Sequence, residues 1–234
     1  MDGTGDRVDR APATDPPAGS ARPGTLTERR RWATEMEIAE TAARLFTERG
    51  TAAVTAAGIA DAAGVGLRTF YRYFPGKEDA IAPLLSAGAD DWRAALHAVD
   101  RSVGLDDAVE LAIAGTLRPP EGDEGRRRAD WTRDLLRAAE GDAALADVWY
   151  RVNRTSEQLL RPILAERVGV AADAFSLRLI AAAATDAIRV GLEAWAQTDA
   201  AFDGPDGPSA LAVGAYRFLR GGTPSTARGP DLDT

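Results

Sequence analysis

"AGVGLRTFYRYFPGKEDA", residues 63–80, decides how this chain folds. It opens around Gly64, reaches a Pro75-Gly76 break and holds no acid before Glu78. Inside it lie Arg68, Phe70, Tyr71, Arg72, Tyr73, Phe74 and the chain's only lysine, Lys77. The glycine permits a sharp turn after one helix. The proline stops the next. At about 100° per residue, Phe70 and Phe74 share one face, and Arg68 and Arg72 share the opposite one. Thr69 and Tyr73 flank the arginines on one side, Leu67 and Tyr71 on the other. The segment is therefore expected to be a helix with an apolar face and a second face suited to nucleic acid. Arginine forks match guanine edges, and hydroxyls match phosphate oxygens. Lys77 is read either as a phosphate contact at the start of the next helix, where free amides attract anions, or as a surface partner of Glu78.

The flanking sequence supplies the rest of a helix-turn-helix. A helix over 27–49, capped by Thr27, places Ile38, Ala42, Leu45 and Phe46 at i, i+4, i+7 and i+8, and Gly50 ends it. Thr55 caps a short helix over 56–63. There Ile59, Ala63 and Val65 are expected to face Leu45 and Phe46, and the small Ala60 lets the two short helices cross closely. The third helix runs over 66–74. Longer helices are expected over 77–99, 105–117, 125–140, 142–168, 172–198 and 209–219, about nine in all and no strand. Abundant alanine and scarce clusters of β-branched residues agree. Residues 1–24 and 221–234, rich in Pro, Gly and Asp, read as flexible tails.

Composition narrows the function. The chain has no cysteine, so disulfides, thiol nucleophiles and zinc-thiolate sites are excluded. His97 is its one histidine and cannot by itself make a metal cluster. No nucleophile elbow and no glycine-rich phosphate loop is present. The expectation is no enzyme, no catalytic residue, no metal and no cofactor. No uncharged stretch approaches the ~18–20 residues of a membrane helix, and the amino terminus lacks a signal peptide's apolar region. A cytoplasmic protein is expected. Net charge is −8 but unevenly spread. Residues 25–77 hold eight basic and six acidic side chains, whereas residues 80–234 hold seventeen and twenty-four. Such asymmetry suggests two jobs.

The run "IAETAARLFTERGTAAVTAAGIADAAGVGLRTFYRYFPGKEDAI" resembles the DNA-binding domain of the TetR family of transcriptional regulators. Its signature is the ordered series Ala42-Leu45-Phe46, Gly50, Thr55, Ile59-Ala60, Ala63-Gly64-Val65, Thr69-Phe70-Tyr71, Tyr73-Phe74 and Lys77-Glu78. The resemblance spans residues 34–85. It departs at Gly66, where a serine is common, at Gly58, where a bulkier residue is usual, and at Val54.

The resemblance implies an all-α homodimer: an N-terminal three-helix helix-turn-helix DNA-binding domain at 25–76 and a C-terminal helical ligand-binding and dimerisation core at 77–220. By position it assigns DNA contact to Thr55, Leu67, Arg68, Thr69, Tyr71, Arg72, Tyr73 and Lys77. The basic "ERRRW", residues 28–32, is either an arm to the DNA backbone or a solvated helix start. Trp92, Trp131, Leu135, Trp149, Asn153, Phe175 and Thr185 stand where a family-type cavity would be lined. The same side chains also fit a plain core. Arg178 to Trp195, rich in small residues, with Ala210, Leu211, Val213, Tyr216 and Phe218, is the expected dimer face.

The implied function is repression from a palindromic operator in double-stranded DNA, released by a small-molecule effector. "RTFYRYFPGKEDA" further resembles a branch whose members respond to acyl-CoA or other amphipathic metabolites. The alternatives are a ligand-dependent activator, and a ligand-binding or protein-interaction module of the same fold without DNA-binding function.

Overall fold

The computed structural model describes residues 25–169 and 173–221. The tails expected at 1–24 and 222–234, and the residue 172 at which the eighth helix was expected to begin, lie outside the described residues. Nine α-helices and two short 3-10 turns, with no strand, make up the described residues. The helices are α1 Leu26–Arg49, α2 Ala56–Ala62, α3 Leu67–Tyr73, α4 Ala82–Ala98, α5 Leu105–Thr116, α6 Gly122–Ala139, α7 Ala143–Val168, α8 Ala174–Ala196 and α9 Pro208–Leu219.

Local chemistry sets most boundaries. The cap of α1 is Thr25, not Thr27. Thr25 and Glu28 form a reciprocal capping box that satisfies two amides, and Thr27 lacks a glutamate three residues on. The stretch after Lys77 is a 3-10 turn, Glu78–Ile81, and α4 begins only at Ala82, with Pro83 in its first turn. Proline is tolerated there because the first helical amides have no partner in any case. Asp142 and Asp173 cap α7 and α8 through backbone amides. Those amides hold the Asp173 carboxylate below its ordinary pKa, with the Ser176 amide contributing most.

Two apolar clusters form the interior. The first joins α1, α2 and α3 to the start of α4 and to α6 and α7, through Ile38, Phe46, Ile59, Phe70, Leu85, Leu135 and Trp149. The second joins the rest of α4 to α5, α7, α8 and α9, through Trp92, Ile113, Leu160, Ala184 and Tyr216. The first cluster runs across residue 77 without a break, so the amino-terminal helices rest on the larger bundle.

The small residues of α8 do not all face outward. Ala181, Ala184, Ala187 and Gly191 are buried against the protomer's own helices. A Cβ on Gly191 would lie 2.6 Å from the backbone nitrogen of Ala212 on α9. Tyr216, expected on the dimer face, is instead fully buried, and its hydroxyl donates to Asp106 on α5 at 3.1 Å. Burial, with the Asp106 carboxylate, pushes that phenol's pKa well up. The large residues left exposed on these helices are Phe175, Leu179 and Val190 on α8 and Phe218 and Leu219 on α9.

Two helix-interior glycines should therefore respond oppositely to alanine. Gly191→Ala forces α8 from α9 and is expected to destabilise by about 1–3 kcal/mol. Gly88→Ala in α4, where an added Cβ meets nothing within 4 Å, is expected to stabilise by about 1 kcal/mol. Urea unfolding of both variants checks the pair of signs.

Candidate nucleic-acid interface and ligand cavity

The turn between α2 and α3 is built from backbone bonds. Gly64 has φ +68°, a left-handed conformation that favours glycine. The Val65 amide donates to Ala60 O at 2.9 Å and the Gly64 amide to Asp61 O at 3.1 Å, the two bonds of a Schellman ending. Thr55 caps α2 by accepting from the Gly58 amide at 3.0 Å, which leaves its hydroxyl proton free to donate elsewhere. Gly66 begins α3 without a side-chain cap.

The faces of α3 are as the helical period requires. Phe70 is fully buried, and Phe74, just past the helix end, is buried with it. Their ring centroids lie 5.5 Å apart. Leu67, Arg68, Tyr71 and Arg72 are exposed, and Thr69 and Tyr73 are half-buried. Tyr73 is a meeting point. The Arg72 guanidinium lies 5.0 Å from its ring centroid and that of Arg31, from α1, lies 5.7 Å away. The basic start of α1 is thus brought beside α3. Arg31 is also tied to Glu35, whose hydrogen bond and charge raise its pKa.

Lys77 is placed differently from the other candidates. Its ammonium donates to Thr51 O at 2.7 Å and to Val54 O at 2.9 Å, and Glu78 lies 3.6 Å away. It clamps the turn before α2. These two carbonyls were not foreseeable from the sequence, since they lie more than twenty residues away.

Behind the head, α4, α5, α6, α7 and α8 surround a cavity of about 330 Å³. That falls within the size range of small-molecule sites. Of the expected lining residues, Trp92, Trp149, Asn153 and Thr185 face it. Trp131 and Leu135 belong instead to the apolar cluster under the head, and Phe175 is exposed on α8, 69% accessible. Met36, Leu84, Ser156 and Trp195 also line it, unforeseen because they come from four separate helices.

Its polar groups are few and mostly engaged. Trp149 Nε1 donates to Glu193 at 2.8 Å, and Asn153 Nδ2 to Trp149 O at 2.8 Å. Ser156 accepts from the buried Arg93 at 3.0 Å, and Arg93 also pairs with Asp90. Burial lowers the Arg93 pKa, but a guanidinium stays charged. Thr185 Oγ1 is buried and has no partner. At one end Arg128 lines the cavity while bonding Glu40 of α1 through Nη2 at 2.8 Å and Nε at 3.2 Å.

Comparison with known proteins agrees with this geometry. Residues 38–81 match the family of bacterial regulatory proteins, tetR family. No curated protein matches the chain. Among solved structures, a TetR transcriptional regulator from Rhodococcus sp. RHA1 is similar over 81% of this chain and 97% of its own, with 18% identity and a TM-score of 0.54. A TetR-family regulator from Rhodococcus sp. matches over 80% of this chain and 98% of its own, with 16% identity and a TM-score of 0.52. At such identity these likenesses speak for the fold.

The bonds of Lys77 make it a structural residue as well as a DNA-contact candidate. Lys77→Ala is expected to cost about 1–3 kcal/mol of stability by orphaning two carbonyls. Thermal unfolding measures this without DNA present.

Proposed function

We propose that this chain, a TetR-family DNA-binding transcriptional regulator, works as a homodimeric repressor that a small molecule releases from a palindromic operator. One observation carries the reading. The buried face of α3 shares an apolar cluster with Met36, Leu84, Leu85 and Trp149, and those same four side chains line the central cavity. A molecule that reshapes the cavity wall therefore acts on the support of the exposed arginines.

Residues 25–76 serve as the DNA-reading part and 77–220 as the ligand and dimer part. Arg68 and Arg72 read base edges in a major groove, with Leu67 and Tyr71 beside them. Thr55, Thr69, Tyr73 and Lys77 hold the backbone, Thr55 through the hydroxyl proton that its capping bond leaves free. The dimer face is the exposed apolar strip of α8 and α9, including Phe175, Leu179, Val190 and Phe218. Self-complementary strips of this kind suit a two-fold contact. The two α3 helices then have to lie about one helical turn, ~34–36 Å, apart. A ligand that prefers another separation lowers DNA affinity, and only by its differential affinity for the two states.

Direct binding to DNA tests the reading. Labelled duplex from immediately upstream of the protein's own gene, run against scrambled duplex at two salt concentrations, is expected to bind selectively with a salt slope of several phosphates. Arg72→Ala is expected to lose about 1–3 kcal/mol and to relax specificity at one position. Failure to bind any duplex recovered from a random pool would sink the repressor and leave an interaction module of the same fold.

A further inference from the structure

The central cavity has a neighbour. On the outside of α7 and α8 lies a groove of about 640 Å³. Asn153 and Thr185 line both spaces. They form a shared wall, one residue from each helix, and no main-chain segment between the spaces has to move for a molecule to pass there.

The two spaces differ in chemistry. The cavity side offers mostly hydrocarbon and indole, whereas the groove carries Arg154, Arg161, Arg178 and Arg189 against Glu157 and Asp186. Arg161 pairs with Glu157, and Arg189 with Asp186 and Glu193. Arg154 and Arg178 form no ion pair among the described residues.

Two buried donors here are also unspent. Thr185, only 5% exposed, has no partner for Oγ1, and Arg161 Nε is likewise without one. Buried polar groups are nearly always hydrogen-bonded, so an orphan at the junction of two spaces points to a missing acceptor. The groove is also wired to the cavity wall. Arg189 donates to Glu193 at 2.9 Å, and Glu193 accepts from the indole of Trp149 at 2.8 Å.

We propose that the α7–α8 groove is the head-group half of the effector site, and that the effector is an amphiphile with an anionic, phosphate-type head. Its tail fills the central cavity, its neck passes Asn153 and Thr185, and its head sits among Arg154, Arg161 and Arg178. This rests on the central cavity being the effector site. The opposite end of the cavity is a poorer place for the head. There Arg128 is already held by Glu40 and Glu124, and Asp91 stands among the lining residues beside Arg118. Thr185 Oγ1 and Arg161 Nε, the unspent donors, lie on the groove side instead.

The test uses the full chain and three probes: monododecyl phosphate below its micelle concentration, dodecanol, and inorganic phosphate. Binding is followed by calorimetry and by tryptophan emission, to which Trp149 contributes from the cavity wall. Dodecyl phosphate is expected to bind at least tenfold more tightly than dodecanol. The double variant Arg154→Gln with Arg178→Gln is expected to bring the two affinities together while leaving dodecanol unchanged. Thr185→Val should keep the unliganded melting temperature at or above the original, since it removes an unpaired buried hydroxyl, and should weaken dodecyl phosphate severalfold. A preference that survives the double variant, or that vanishes instead in Arg118→Gln, overturns the groove as the head site. Equal binding of the two dodecyl compounds overturns it too, but leaves the cavity as a tail site. Binding of inorganic phosphate alone, or of no probe, removes the central cavity as an amphiphile site and the proposal with it.

Discussion

A seven-residue helix has almost no stability of its own in water, because the cost of starting a helix is spread over too few bonds. The arginines on α3 are held in a fixed array only because Phe70 on its opposite face is fully buried. Every other feature of the head serves that burial. The left-handed Gly64 sets the angle at which α3 meets α2, and Ile59 and Ala60 provide a close-fitting neighbour. Ile38, Ala42, Leu45 and Phe46 of α1 supply the remaining wall. Lys77 then fastens the chain that leaves α3 to the turn that enters α2.

The same burial removes independence from the head. Its apolar cluster has no boundary at residue 77, and α6 and α7 contribute Leu135, Leu136, Val148 and Trp149 directly to it. Polar links reinforce this. Arg128 of α6 holds Glu40 of α1, and Arg151 of α7 holds Asp79 of the turn after the head. These are partly exposed pairs, which contribute little to stability by themselves. Their value lies in register: they tie the head to α6 and α7, two helices that also wall the cavity. Densely packed interiors transmit displacement rather than absorbing it. Between the cavity and α3 the apolar contacts are continuous, so coupling needs no separate hinge.

The helices were legible in the sequence because their signals are local. Period, caps and breakers placed all nine, and Phe70 and Phe74 were assigned inward from the 100° spacing alone. Boundaries failed where two local signals competed, as with Thr25 and Thr27, or where proline and a 3-10 turn delayed α4. The cavity was legible only in part. Trp92, Trp149, Asn153 and Thr185 could be guessed as large or polar residues on the right helices, but their convergence depends on how α4, α7 and α8 cross. Phe175 carries the same signal and points outward. The Ala and Gly stripe of α8 misled most plainly. Small residues announce a close helix contact but not whose helix it is, and here α9 of the same chain fills much of that role.

Charge distribution adds a constraint that neither core imposes. Residues 80–234 carry seven more acids than bases, and residues 25–77 two more bases than acids. A polyanion approaching the bundle is repelled everywhere except at the head, so the field orients an encounter before any side chain touches. Within the bundle the arginines are largely spent on structure. Arg133 lies 3.9 Å over the ring of Trp195, Arg137 binds Thr198 O and Asp199, and Arg167 holds Val99 O and Val103 O. Guanidinium groups so committed add little to an outward field. That makes the two open cationic faces stand out against an acidic surface: the arginines of α3, and Arg154 with Arg178 on the outer groove. Both are built on rigid helices beside aromatic side chains, Tyr71 and Tyr73 at one and Tyr150 at the other. An acidic protein that keeps only these cations free restricts anions to two places, and the apolar core runs from beneath the first to the wall behind the second.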